Sequence, residues 1–179
     1  MSVATPIPTL TTERMVLRPP VLEDAEPYGD ILASGRAAHM GGPFSAEDAW
    51  LDFCEGVAGW HLRGFGTLSL EDRASGAFLG MVYLHHERGD PERELGWVLT
   101  EAAEGHGLAC EAAHAARAHA FGPLGWTTAV SYIDRDNVRS IRLAERLGAR
   151  LDTQAPQPPG LGDRPCLIYR HDPIERQRP

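Results

Sequence analysis

Apolar and polar positions change period several times along this chain, and each change marks an element. Met15 to Arg18 is a short apolar run stopped by Pro19-Pro20, which predicts a strand at a sheet edge, since proline cannot donate to a ladder. Leu22, Ala25, Tyr28, Ile31 and Leu32 then recur at helical spacing behind Glu23-Asp24, acidic residues suited to the positive end of a helix dipole. Gly41-Gly42-Pro43 breaks the pattern. Ser45 follows as an N-cap with Asp48 three residues on, and Trp50, Phe53, Val57 and Trp60 form the apolar stripe of a second helix.

From Gly64 the period shortens. Phe65 to Leu70, Ala77 to Leu84 and Glu94 to Leu99 read as strands, the first two joined by a turn containing Asp72 and Ser75-Gly76. A glycine-bearing loop, Glu104-Gly105-His106-Gly107, leads into an alanine-rich helix from about Ala109 to Phe121. Thr127 to Ile133 is a strand, and Asn137 starts a last helix, Val138 to Leu147, closed by Gly148 as a left-handed cap. Arg150-Leu151 and Cys166 to Arg170 complete the sheet around a Pro/Gly-rich excursion, Ala155 to Gly162. Consecutive strands predict antiparallel pairing, and strand–helix–strand a parallel crossover. The fold class is therefore α+β: a mixed, mostly antiparallel sheet of six to seven strands flanked by helices. One domain is expected over residues 1–179, with 1–10 and 172–179 as flexible tails.

Composition narrows the function classes. Arginine supplies all 17 Lys+Arg residues, against 25 acidic ones, for a net charge of −8. Without a basic stripe such a chain is a poor nucleic-acid binder, because phosphate neutralisation supplies most of that affinity. Arginine does suit a small phosphorylated ligand, through its planar fork. The opening MSVATPIPTLTTER has no signal-peptide core and no apolar run nears the ~20 residues of a membrane span, so a cytoplasmic chain is expected. Cys54, Cys110 and Cys166 make no CxxC pair and read as reduced thiols. His85-His86-Glu87 lacks a spaced partner set, and His114 and His119 do not align on one helix face, so no metal is expected.

The loop Gly105-His106-Gly107-Leu108-Ala109 lies where a strand gives way to a helix, so its amides are placed to meet an anion; the same loop also serves as a plain turn. It lacks the third glycine of a dinucleotide fingerprint and the Gly-Lys of a P-loop. Taken with Glu94-Leu95-Gly96-Trp97-Val98-Leu99 before it and Asp136-Asn137-x-x-Ser140 after it, the loop resembles the GNAT superfamily of N-acetyltransferases. Leu147-Gly148-Ala149, Gly80, and the opening Thr12-Glu13-Arg14-x-x-Leu17-Arg18-Pro19 with Glu23-Asp24-Ala25 add to it, and look most like its ribosomal-protein-acetyltransferase branch. The resemblance runs from about Thr11 to Tyr169.

It implies acetyl-coenzyme A as cosubstrate, held where the strand Glu94–Leu99 splays from Thr127–Ile133. The amides of Gly105, His106, Gly107, Leu108 and Ala109 would hold the pyrophosphate, and Trp97, Val98 and Leu99 would pair with the pantetheine arm. Asn137 would reach the cofactor's amide arm besides capping its own helix. Glu104 departs from the Gln or Arg frequent at that position and brings a carboxylate near the pyrophosphate. Arg139 and Arg142 either supply the compensating charge or are solvated helix-face residues.

Ser140 matches the position that protonates the departing thiolate, or else supports the first helical turn; no tyrosine accompanies it on that helix. Glu94 is the candidate base, directly or through water, against a solvated or salt-bridged alternative, and alternation puts it on one face with Gly96 and Val98. Glu92 reads as more exposed, and alternation turns one of His85 and His86 inward. Glu111 fits dipole complementation. The function implied is direct acetyl transfer to a primary amine, a protein N-terminus or a small molecule, in a ternary complex. The rival readings are a non-catalytic acyl-CoA-binding module of the same fold and an unrelated α+β ligand-binding protein. A homodimer is compatible with any of them, and no motif calls for one.

Overall fold

The computed structural model describes residues 6–159 and 165–173. Its strands are β1 (Leu10–Thr11), β2 (Met15–Arg18), β3 (Thr67–Asp72), β4 (Phe78–His85), β5 (Glu94–Leu99), β6 (Ala129–Ile133), β7 (Arg150–Leu151) and β8 (Leu167–His171). The helices are α1 (Ala25–Ala33), α2 (Ala46–Arg63), α3 (Leu108–Phe121) and α4 (Val138–Arg146). One eight-stranded sheet runs in the order β1-β2-β3-β4-β5-β6-β8-β7, with every pairing antiparallel except β5 with β6. The α+β class is as expected. The additional strand is β1, where Leu10 pairs with Leu17. Ile7 and Leu10 also pack on the core, so the fold begins inside the segment expected as a tail. Residues 1–5, 160–164 and 174–179, including part of the Pro/Gly-rich excursion and of the second tail, lie outside the described residues.

Alternation divides the core between the two faces of the sheet. Val82, Leu84, Leu95 and Leu99 face α3, whose Ala112, Ala116 and Ala120 let the helix lie close. Met81, Tyr83 and Val98 face the other way, against Tyr28, Ile31 and Leu32 of α1 and Phe53 of α2. Gly80 is needed for this stacking: a Cβ there would sit 2.2 Å from the Val98 carbonyl oxygen, so a side chain would push β4 off β5. The caps read from sequence are in place, with Ser45 accepting from the Asp48 amide at 3.1 Å. Trp50 differs from its expected core role: it is 47% exposed and stacks on Phe53, because the buried stripe of α2 runs through Ala49, Phe53, Gly56 and Trp60. Among the described residues no helix is long and apolar enough to cross a membrane.

A buried ion pair joins the first elements to the sheet. Asp24, 3% exposed, accepts from Arg18 at 2.7 and 2.9 Å, from Ser69 Oγ at 2.7 Å and from the Val21 amide at 2.9 Å. Burial alone would raise the Asp24 pKa, but these donors outweigh it and hold the carboxyl below its ordinary 3.8. A depressed carboxylate stabilises the fold above its unfolded pKa, and the contribution fades as pH falls through the folded value. Asp24→Ala leaves Arg18 only Glu71 as a counter-ion and strips the Ser69 hydroxyl and Val21 amide of their acceptor, and is expected to cost about 3 kcal/mol in urea unfolding at pH 7. The penalty should shrink as pH falls below about 4 towards the depressed folded value, at which the wild type takes up the proton.

Candidate active site

Two neighbouring strands part, and the sequence contains the reason. β5 and β6 share one register pair, Glu94 with Val130, beside a backbone bond from the Val130 amide to the Arg93 carbonyl at 2.9 Å. One residue further on, the ladder is replaced by a side chain: Ser131 Oγ donates to the Leu95 carbonyl. Ser131 in turn accepts from His171 Nε2 at 2.9 Å. Since the one hydroxyl proton goes to Leu95, the histidine must be the donor, which fixes its Nε2–H tautomer. Burial lowers the His171 pKa to about 4, so the ring is neutral. Beyond this hydroxyl the two strands separate and Trp97, Val98 and Leu99 border an open wedge.

The glycine loop closes the base of the wedge. Gly105 and Gly107 have φ of 81° and 78°, a conformation side chains with a Cβ rarely adopt. No side chain caps α3, so its first amides are not taken by a capping group. Arg14 braces the loop from the bend between β1 and β2: its Nη1 donates to the His106 carbonyl at 2.8 Å, while its backbone amide and Nε donate to Glu111 at 2.9 and 2.7 Å. Glu111 therefore anchors the loop's brace as well as facing the helix dipole. Arg14 is a residue whose part in the site the chain pattern does not reveal, because its partners lie over ninety positions away.

At the wedge's other wall, Asn137 caps α4 by accepting from the Ser140 amide at 3.2 Å. Trp97 Nε1 donates to Ser140 Oγ at 3.3 Å. With that acceptor position filled by the indole, the serine's own proton remains for a third group. Glu104 does not stand alone near the loop: it pairs with Arg36 at 2.6 Å and with Arg139.

A cavity of about 1690 Å³ joins all of these groups. Glu94, Trp97, Val98, Leu99, Gly105, Gly107, Leu108, Ala109, Asn137, Arg139, Ser140 and Arg142 line it, so nearly every residue singled out in the sequence converges there. His106 is the exception; it is exposed, does not border the cavity, and has its carbonyl taken by Arg14. Glu94 shares its face with Gly96 and Tyr83 without any bulge in β5, towards α1 and α2. There burial, reinforced by Glu87 and Asp90, pushes its carboxyl up to about 8, with the Tyr132 amide acting the other way. Of the two histidines, His85 lines the cavity and His86 turns out to the Asp90 carbonyl, as alternation requires. Burial lowers the His85 pKa below its ordinary 6.5, leaving a neutral ring. Glu92 is not the exposed residue expected: Arg170 grips it at 2.6 and 2.7 Å.

Sequence reading missed the phenols. Tyr83 Oη lies 3.1 Å from Tyr28 Oη, and Tyr28 donates to Asp52, a relay running from β4 through α1 to α2. Burial and the nearby carboxylate raise both phenol pKa values, so both stay protonated. No local motif marks these residues, since the three come together through packing alone.

Wedge, left-handed glycine loop and capped helix are the features that a family comparison can test. The Acetyltransferase (GNAT) domain model matches residues 14–150. The chain belongs to the GNAT acetyltransferase family. It is similar to an acetyltransferase from Agrobacterium tumefaciens str. C58, with 40% identity and a TM-score of 0.87 over 96% of this chain and 98% of that one. At 16% identity, a ribosomal L7/L12 alpha-N-protein acetyltransferase, RimL, in complex with coenzyme A shares the fold with a TM-score of 0.70 over 92% and 98% of the chains. The spermidine N-acetyltransferase of Vibrio cholerae in complex with CoA and spermine shares it too, at 15% identity and a TM-score of 0.70 over 89% and 94%.

The Ser131 hydroxyl has no replacement within the buried strand pair. Ser131→Ala leaves the Leu95 carbonyl and the His171 N–H without partners, and is expected to lower unfolding free energy by about 1–3 kcal/mol in urea titration.

Proposed function

We propose that the protein transfers acetyl from acetyl-CoA directly to a primary amine, with Glu94 as base and Ser140 as hydrogen-bond donor to the departing sulfur. The observation that carries this reading is one cavity holding the open β5 edge, the glycine loop, Ser140 and a carboxylate of raised pKa together. The groove suits the cosubstrate: two glycines and small Ala109 leave the loop's main chain approachable, and the β5 edge offers amides to a pantetheine arm.

The acceptor end has its own chemistry. Asp48, Asp52, Glu55, Glu87, Asp90 and Glu94 all line the cavity. Burial and the neighbouring Asp90, Glu55 and Asp52 raise the Glu87 pKa, a sign that these carboxylates crowd one another. A cationic amine relieves that repulsion, so the acceptor is positively charged, as a protein N-terminus or a small-molecule amine is.

An ammonium entering here gives a proton to ionised Glu94. The neutral nitrogen then bonds to the thioester carbon, and the C–S bond breaks. The nitrogen's surplus proton leaves as the amide forms and passes to the departing sulfur to complete the thiol, while Glu94 returns its proton to solvent; the Ser140 hydroxyl, held by the Trp97 indole, bonds to the sulfur as its charge develops. A non-catalytic module is the competing reading. Two arginines on Glu104 weaken one of its grounds, since the carboxylate beside the loop is neutralised locally.

Turnover of acetyl-CoA with a panel of cationic amines tests the proposal; binding without turnover overturns it in favour of the module. For the base, activity should rise with pH through an arm centred near 8, because Glu94 accepts a proton only when ionised. Glu94→Gln should remove that arm and lower kcat roughly 100-fold. Ser140→Ala should lower kcat roughly tenfold, the worth of one hydrogen bond to a charged group, with little change in cofactor affinity by calorimetry.

A further inference from the structure

Glu104 is the residue at which the glycine loop departs most from expectation, and its surroundings convert an apparent defect into a binding device. Its two carboxylate oxygens are divided between two arginines from different parts of the chain. Arg36, from the short 3-10 segment Gly35–Met40 that follows α1, brings Nη1 within 2.6 Å of Oε1; Arg139, in the first turn of α4, pairs with Oε2. Arg36, Glu104, Gly105, Gly107 and Arg139 all line the same cavity. The Arg36 side chain is 20% exposed. Its Nη1 is shielded from solvent against the Glu104 carboxylate, beside a loop shaped for an anion.

We propose that Arg36 and Arg139, tethered by Glu104, form a two-armed clamp for the diphosphate of coenzyme A. The inference rests on the acetyl-CoA reading and adds to it a residue, Arg36, and a role, that of Glu104. Three physical points carry it. First, the chain carries −8, so a polyanionic ligand gains nothing from the overall field and has to be attracted locally; Arg36 and Arg139 bring two guanidiniums to the loop around the single carboxylate they share. Second, a guanidinium has five N–H groups in a rigid fork, so an arginine spending one or two on Glu104 keeps others for phosphate oxygens. Third, long arginine side chains lose much rotamer freedom when they bind. A carboxylate that already holds both lowers that cost before the ligand arrives. Glu101 also touches Arg36 at 3.3 Å, but at 89% exposed its pull is screened.

Titration calorimetry with coenzyme A, dephospho-coenzyme A and pantetheine, at two salt concentrations, separates the possibilities. Arg36→Ala and Arg139→Ala should each weaken coenzyme A and dephospho-coenzyme A about tenfold and flatten the salt dependence, while pantetheine, which lacks the diphosphate, is unaffected. Arg139 is 71% exposed, so its variant tests the clamp even if loss of Arg36 lowers stability. Glu104→Gln should weaken coenzyme A severalfold, because the arms lose their tether; tighter binding in that variant means the carboxylate merely repels phosphate and overturns the tether. Unchanged coenzyme A affinity in both arginine variants overturns the clamp while leaving the acetyl-CoA reading standing. A loss confined to coenzyme A and absent with dephospho-coenzyme A moves the arginines to the 3′-phosphate and overturns the diphosphate assignment. If the wild type binds coenzyme A no better than pantetheine, the acetyl-CoA reading itself falls.

Discussion

The Ser131 hydroxyl bound to the Leu95 carbonyl is the interaction on which the site depends. A parallel pair of strands normally continues its ladder with backbone amides; here a side chain ends it after one register pair, with His171 of β8 fixing the serine from behind. The buried polar groups at the fork are thereby largely satisfied, so the strands separate without leaving that carbonyl unpaired. What the fork opens is a groove with a row of β5 backbone on one wall and α4 on the other. The glycine loop, the Ser140 hydroxyl and the Glu94 carboxyl are useful to one another because this opening places them around one space.

Charge is sorted along that space. Arg36 and Arg139 meet at Glu104 beside the glycine loop, whereas Asp48, Asp52, Glu55, Glu87, Asp90 and Glu94 line the same cavity from α2, β5 and the β4–β5 connection. Such a division matches a reaction between a polyanionic donor and a cationic acceptor, and it gives each reactant one end to prefer. It would also let a chain of net charge −8 accommodate the proposed polyanionic cosubstrate, since the global sign matters less than the sign within a Debye length of the ligand.

Much of this was legible in one dimension because the signals are local. Ser45 and Asn137 were identifiable as caps because a cap bonds to an amide two or three residues on, and the cores of the strands and helices followed from the period of their apolar residues. The alternation in β5 correctly put Glu94 with Gly96. The failures share a cause. Trp50 fits a helical stripe but lies one position off the buried one through Ala49 and Phe53, and Glu92 looks like a loop residue until Arg170 arrives from seventy-eight positions away. Glu104 looked repulsive beside a phosphate because its counter-ions, Arg36 and Arg139, come from distant elements.

The sequence by itself determined the elements, the α+β class, the glycine loop and a stretch of the cavity lining from β5, that loop and α4, since periodicity, caps and motif spacing act over a few residues and survive without tertiary contacts. Only the tertiary structure decided the fork at Ser131, the phenol relay Tyr83–Tyr28–Asp52, the brace from Arg14 and the arginine pair on Glu104. Each of those is a side-chain bond between segments far apart in the chain, and no local pattern records which distant group will satisfy a buried polar atom.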